Sequence, residues 1–379
     1  MTEHYLDNSA TTAVCREAAQ KAFEMMTTKY GNPSSLHNKG MEAEDEVEKS
    51  REIIAKSLGV TPEEIFFTSG GTEANNTAII GAAHAAKRKG NKIVISAVEH
   101  SSVLETAESL EKEGFEVVKI FPDEDGHINI KDIEEAIDEK TAVVSVMTVN
   151  NETGAIFPTD KIAKIIKRKK SPALFHTDCV QAYGKISLKA SKLGADLITI
   201  SAHKVHGPKG VGALYIRKGV RILPLIHGGE QQKKIRPGTE GVPLICAFGT
   251  AISLFDIEEN MKNITALRDY ALEKLLQIDG VQVNSPKDCL PYIINISVLG
   301  IKSETMLHHL ASKGVYISSS SACAKGQRSY VLKAMKLSDQ RIDSALRISF
   351  SKFNTKEDVD ALVEGIISGC GSLVRKKYN

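Results

Sequence analysis

The stretch EIFFTSGGTEANNTAIIGAAHAAKRKGNKIVISAVEH, residues 64–100, decides the fold. It opens on a short apolar run, EIFFTS, and breaks at a glycine pair. EANNTAIIGAAHAAKRKG then runs on with helical spacing, and the stretch closes on a second apolar run, NKIVISAV. Strand, helix and strand in this order make a βαβ unit, because two parallel strands cannot be joined by a tight hairpin.

The alternation extends both ways. Upstream, AEDEVEKSREIIAKSLG has helical spacing. Downstream, SVLETAESLEKEG, FEVVKIF, IKDIEEAIDE, TAVVSVMTV, TDKIAKIIKRKK, ALFHTD and ADLITISA continue the pattern. This predicts an α/β fold with a mostly parallel, doubly wound sheet, in which ligands bind at the carboxyl ends of the strands. After VPLICAFGTAISLF the rhythm changes. A long charged helix, EENMKNITALRDYALEKLLQ, leads into VQVNS, YIINISV, ETMLHHLASKG, VYISS, ALRISFS and TKEDVDALVEGIIS. The expected organisation is a large α/β domain over 15–257 and a small α+β domain formed by 1–14 with 258–379. A chain of 379 residues allows this, since single cores stop growing at about 250–300 residues.

Hydrophobic residues at 42% and charged residues at 25% describe an ordinary soluble globular protein. A net charge of +2, with basic clusters no larger than KRKK at 167–170 and RKK at 375–377, predicts no direct nucleic-acid partner. The start, MTEHYLDNSATT, is neither basic nor apolar, and no apolar stretch approaches the roughly 18 residues of a membrane helix. The expectation is a cytoplasmic protein without a membrane partner. Six cysteines are scattered with no CxxC pair, so neither a disulfide framework nor a metal site is expected.

The strand ends carry the chemistry. EIFFTS runs into Gly70, Gly71 and Thr72 at the start of a helix. Free N–H groups and the positive end of the helix dipole make a phosphate site there, the plain alternative being that Thr72 is only an N-cap. GxxxxGK[ST] is absent, and GPKGVG reverses the glycine order of GxGxxG, so the phosphate would belong to something other than a nucleotide. NKIVISAVEH ends in Glu99 and His100, ALFHTD ends in Asp178, VMTVNNETG contains Asn151, and ADLITI leads into SAHKVHGPKGVG at 201–212. Each residue alone is an unremarked cap or turn. Together they supply an amine, a carboxylate, a flat imidazole and a phosphate cup, the parts that pyridoxal 5'-phosphate requires. Lys204, flanked by Ser201 and His203, is the expected Schiff-base lysine, because a desolvated amine can be neutral and nucleophilic. Lys209, between Pro208 and Gly210, reads as solvent-facing.

The ordered motifs YLDNSATT, GNPSSLH, FTSGGTEANN, EHSSV, VNNETG, HTDCVQ, SAHKVHGPKG, HGGEQQKKIRPGT, SSSSAC and LRISFS resemble the NifS/IscS-type cysteine desulfurases, from residue 5 to about 365. The resemblance implies the class V aminotransferase fold, a fold-type I pyridoxal-phosphate transferase. It implies that Lys204 carries the cofactor and moves protons, that Asp178 pairs with the pyridine nitrogen, and that His100 stacks on the ring and serves the substrate thiol. Gln181 and Asn151 would lie near the phenolic oxygen. Gly71, Thr72, Ser201 and His203 would hold the phosphate, joined by Thr239 from the partner of a homodimer. Arg347 would clamp the substrate carboxylate, the alternative being an edge-strand arginine opposite Ile348 and Phe350. Cys323 sits in SSSSACAKGQR, a small, polar setting poorly suited to burial, and reads as the thiol that collects sulfur from L-cysteine as a persulfide and leaves L-alanine. Cys179 reads as a packing residue.

The segment AKGQR after Cys323 is shorter than in IscS-type enzymes, the RxGHxCA context of the SufS type is absent, and GSLVRKKYN replaces a long C-terminal extension. The sulfur-acceptor protein therefore stays open between an iron–sulfur scaffold, a tRNA thiolation enzyme and another acceptor. Competing readings are a class V aminotransferase with no need of Cys323, a selenocysteine lyase, and a non-catalytic sulfur-trafficking adaptor. A Ser-His-Asp hydrolase would require a GxSxG elbow, and there is none.

Overall fold

The computed structural model describes residues 2–319 and 328–374. The first eight strands are β1 (His4–Tyr5), β2 (Ile65–Thr68), β3 (Lys92–Ser96), β4 (Glu116–Ile120), β5 (Thr141–Ser145), β6 (Leu174–Asp178), β7 (Leu197–Ser201) and β8 (Gly212–Ile216). Strands β2 to β8 form a seven-stranded sheet in the order β2-β8-β7-β6-β5-β3-β4. Every neighbouring pair is parallel except the two that involve β8. The other six strands therefore end on the same edge.

Side chains alternate across this sheet, as strand geometry requires. Ile93, Ile95, Val143 and Leu197 pack on one face with Ala74, Ala78 and Ala82 of helix Gly71–Ala86 and with Leu110 of helix Ser101–Lys112. Val94, Val144, Ile198 and Ile200 point the other way, toward Val47, Ile54 and Leu58 of helix Asn38–Leu58. Burial on both faces is why these strands read as unbroken apolar runs.

Strand β8, the short GALYI segment after the glycine-rich turn, was not anticipated from the sequence. It depends on Gly212, where a Cβ would stand 2.7 Å from the Ile200 carbonyl oxygen and 2.9 Å from Gly70 Cα. Glycine lets the strand begin wedged between β7 and the turn after β2. The β7–β8 connection is pinned by hydrogen bonds from Ala202 N–H to the Val211 carbonyl (3.2 Å) and from Gly207 N–H to the Ala202 carbonyl (3.0 Å).

The remaining strands are β9 (Val281–Val283), β10 (Ile293–Val298), β11 (Val315–Tyr316), β12 (Ser318–Ser319) and β13 (Ala345–Ser349). Four of them make an antiparallel sheet in the order β12-β13-β10-β9. Strand β1 pairs in parallel with β11, and Asp7 bridges to Ser349. The chain then crosses to the large sheet, where Thr12 N–H donates to the His203 carbonyl at 2.9 Å. β4 and β5 lie on opposite sides of β3, so the loops that follow β3 and β5 diverge and open a crevice at the strand ends.

Candidate active site

A cavity of about 470 Å³ occupies this crevice, and its walls include Gly71, Thr72, His100, Asn151, Asp178, Gln181, Ser201, His203, Lys204 and Arg347. Ten of the residues singled out in the sequence thus meet in one place. Thr239 does not join them in this chain. It is exposed and lines a separate hollow with Arg236 and Leu244. Cys323 lies outside the described residues. Lys209 is exposed.

Helix Gly71–Ala86 supplies the first wall. Gly70 precedes it at φ 155°, and no side chain caps the helix from that position. The uncapped first turn leaves peptide N–H groups and the positive end of the dipole pointing at the cavity, a ready anion site. Asn75, one turn in, donates from Nδ2 to Asp178 Oδ2 at 2.7 Å and to Ser102 Oγ at 2.8 Å. Asp178 Oδ1 accepts from Val180 N–H at 2.9 Å. The carboxylate at the end of β6 is therefore fixed from two sides.

His100 caps helix Ser101–Lys112, its Nδ1 accepting from Ser102 N–H at 3.1 Å. A ring nitrogen that accepts from a peptide N–H carries no proton, so the neutral ring is protonated on Nε2. Burial holds the imidazole below its ordinary range, with Asp178 opposing and Lys204 adding to the shift. His203 is pushed down to about 4 by burial and by Lys204 and Lys209.

Lys204 closes the short 3-10 turn after β7 and donates from Nζ to the carbonyls of Ser9 and Ala10, each at 2.6 Å. Gln181 Nε2 donates to the same Ser9 carbonyl at 2.9 Å. Arg347, 4% exposed, stands on β13, which lies inside the small sheet between β12 and β10. The reading of an edge-strand arginine is thereby corrected. The residue is interior, with Nη1 donating to the Asn151 carbonyl at 3.1 Å and Nη2 to Asp7 Oδ1 at 3.0 Å.

Sequence reasoning missed several residues here. Asn75 had a usable signal, being one turn after Gly71 on the same helical face. Glu152 had none. It lines the cavity buried, accepts from Ser329 Oγ at 2.5 Å, and is pushed up to about 7 by burial. Glu99 lies outside the lining, where its Oε1 accepts from Met147 N–H at 2.8 Å and from the Ser96 hydroxyl, and burial raises it to about 8. Cys179 is fully buried, with its thiol pushed up to about 12 by burial, as suits a packing residue.

Eight buried side-chain polar atoms among the described residues have no hydrogen-bond partner, and five of them sit on residues that line the cavity: Ser9 Oγ, Asn75 Oδ1, Asn151 Oδ1, Ser201 Oγ and Arg347 Nε. Such orphans cost about 1–3 kcal/mol each, so their convergence marks a place built for a polar ligand. An amine, a fixed carboxylate, a flat ring and an anion-binding helix start around them fit pyridoxal phosphate. The described residues contain no cluster of His, Cys, Asp and Glu able to hold a metal ion, and no helix long and apolar enough to cross a membrane.

Fold and site together define a fold-type I pyridoxal-phosphate enzyme. The chain belongs to the aminotransferase class-V family, whose model matches residues 4–362. It is similar to the cysteine desulfurase IscS of Dictyoglomus turgidum, 42% identical over 364 residues that cover 94% of this chain and 92% of that protein. The IscS of Methanosarcina thermophila is 42% identical over 95% of this chain and 90% of its own length. A solved NifS-like protein superposes with a TM-score of 0.94 at 38% identity, covering 98% of this chain and all (100%) of its own. A structure described as SspA in complex with cysteine gives a TM-score of 0.82 at 31% identity, over 93% of this chain and 100% of that one.

Proposed function

We propose that the protein is a pyridoxal-phosphate-dependent cysteine desulfurase that converts L-cysteine to L-alanine and passes the sulfur to Cys323 as a persulfide. The observation that carries this reading is the meeting of Lys204, Asp178, His100 and Arg347 in one cavity, in a chain whose relatives are cysteine desulfurases. The bound cofactor supplies an electron sink for the pair left on the substrate Cα when its proton is removed.

The protein's own side chains do the rest. Lys204 would hold the cofactor and serve as the base and acid at Cα. The Asp178 carboxylate, held by Asn75 and the Val180 N–H, keeps the pyridine nitrogen protonated. Thr72, Ser201, His203 and the peptide at Gly71 would hold the phosphate, and Asn151 and Gln181 would stand beside the ring. Arg347 would present its guanidinium to the substrate carboxylate, where a planar fork suits two oxygens. His100, neutral with its proton on Nε2, would face the ring and exchange protons with the substrate thiol. The Cys323 thiolate attacks the substrate sulfur, the S–S bond forms as the Cβ–S bond breaks, and the carbon side retains that electron pair and takes up a proton. L-Cysteine and one thiol become L-alanine and one persulfide, with no external oxidant required.

The proposed assembly is a homodimer. Helices Arg16–Thr27 and Asn38–Leu58 and the segment between them expose Phe23, Met26, Tyr30, Leu36 and Met41, and Leu223, Leu225 and Ile226 are exposed as well. Large apolar side chains exposed in this number favour a protein interface, across which Thr239 would reach the neighbouring cavity. The proposed setting is the cytoplasm, with an iron–sulfur scaffold or a tRNA thiolation enzyme as sulfur acceptor. The large domain is proposed to span 15–257 and the small one 1–14 with 258–379.

The test is to quantify alanine and sulfide together from protein, L-cysteine and a reductant, with Lys204→Ala and Cys323→Ser alongside. Equal products lost in both variants support the reading. Amino transfer to a keto acid that survives Cys323→Ser, without sulfide, refutes it.

A further inference from the structure

Lys185 has no part in the chemistry above, yet the residue is only 5% exposed beside the site. It donates from Nζ to Gln181 Oε1 at 2.8 Å and lies 5.6 Å over the Tyr292 ring. Because Oε1 is taken, Gln181 presents Nε2 to the Ser9 carbonyl, the acceptor that Lys204 also uses. One chain of contacts therefore runs Lys185, Gln181, Ser9, Lys204. A small hollow of about 10 Å³, room for one water, lies behind Lys204 and is walled by Lys185, His206 and Tyr292, whose hydroxyl is buried without a partner. The charged and titratable groups facing Lys185 are Lys204, His203 and His206 after β7, Arg347 on β13, Tyr292 before β10, and Lys352 across the hollow. None of these is a carboxylate. Burial, with Lys204 and Arg347 nearby, pulls the Lys185 amine down to about 7.

We propose that Lys185 is a positioning residue that locks the Gln181 amide with Nε2 toward Ser9 and the cavity, and thereby sets the protonation balance at Lys204. This rests on reading Lys204 as the cofactor-bearing lysine. Without Lys185 the amide is free to turn, and an amine that opposes protonation of its neighbour is gone. Both changes favour the protonated form at Lys204.

The test is the pH midpoint of the visible absorption band of the cofactor-loaded protein. Lys185→Met should raise that midpoint by about one unit, and Lys185→Arg should restore it. An unchanged midpoint in Lys185→Met, even with lower thermal stability or activity, overturns the proposal. Should Lys185→Met not fold, Lys185→Gln carries the test, because it removes the amine and its charge while leaving a polar side chain in the same place. A raised midpoint there supports the proposal, and an unchanged one overturns it. A band absent from the wild-type protein, or surviving Lys204→Ala, would instead remove the reading of Lys204 itself.

Discussion

Replacing Arg347 by lysine separates recognition of the substrate carboxylate from support of the fold. The guanidinium engages the Asn151 carbonyl through Nη1 and Asp7 through Nη2, and keeps Nε buried with no partner in the protein. A single ammonium cannot serve all three directions, so Arg347→Lys keeps the charge and gives up the fork. One charge-assisted hydrogen bond is worth about 1.5–3 kcal/mol. At 1.4 kcal/mol per decade, KM for L-cysteine should rise roughly 10- to 150-fold, with a smaller change in kcat. The assay is alanine formation over a range of L-cysteine concentrations, with the visible band confirming equal cofactor loading. If Arg347 only ties β13 to Asp7 and Asn151, the variant will lose thermal stability and keep its KM. That result would refute the assignment.

Asp178→Asn would remove the carboxylate proposed to face the pyridine nitrogen, and losing one partner of such a buried pair costs about 3–5 kcal/mol, so alanine formation should fall by about 10² or more while Lys204 still binds the cofactor; full activity would contradict the role. Glu99→Gln should alter the pH dependence of thermal unfolding. Burial raises the Glu99 carboxyl from 4.5 to about 8, so the wild-type protein loses stability as pH rises from about 5 through 8 while the variant does not. The Tm difference between them should therefore widen across that window and level off above it, and a constant difference would disprove the buried neutral acid. Gly212→Ala places a methyl against the Ile200 carbonyl and Gly70. It should cost about 1–3 kcal/mol in thermal unfolding, and an unchanged Tm would mean that β8 shifts without penalty.

Strands β2, β3, β5, β6 and β7 were legible because burial on both faces leaves an apolar run between polar helices, a pattern that survives without knowledge of neighbours. β8 was not, since its short run hides behind a turn and its place depends on what Gly212 touches. The residues around the cavity were legible where they fall at strand ends, as do His100, Asp178, Ser201 and Lys204, because topology alone collects those ends. Arg347 needed the position of β13 inside its sheet to be known. Glu152, Ser102 and Lys185 escaped notice because their meaning lies in partners: Ser329 is distant in sequence, and Lys185 matters only through the amide of Gln181. The N-terminal segment, whose carbonyls at Ser9 and Ala10 receive Lys204, shows no local sign of touching the end of β7.

The turn between β7 and β8 closes on itself through Ala202, Gly207 and Val211, and Thr12 ties its outer side. None of those bonds involves the lysine side chain. The backbone site from which Lys204 projects is thus an anchorage independent of the chemistry performed there. Altered specificity, whether by natural drift or by design, can be sought in the walls formed by β13, helix Gly71–Ala86 and residues 328–330 while that anchorage stays put.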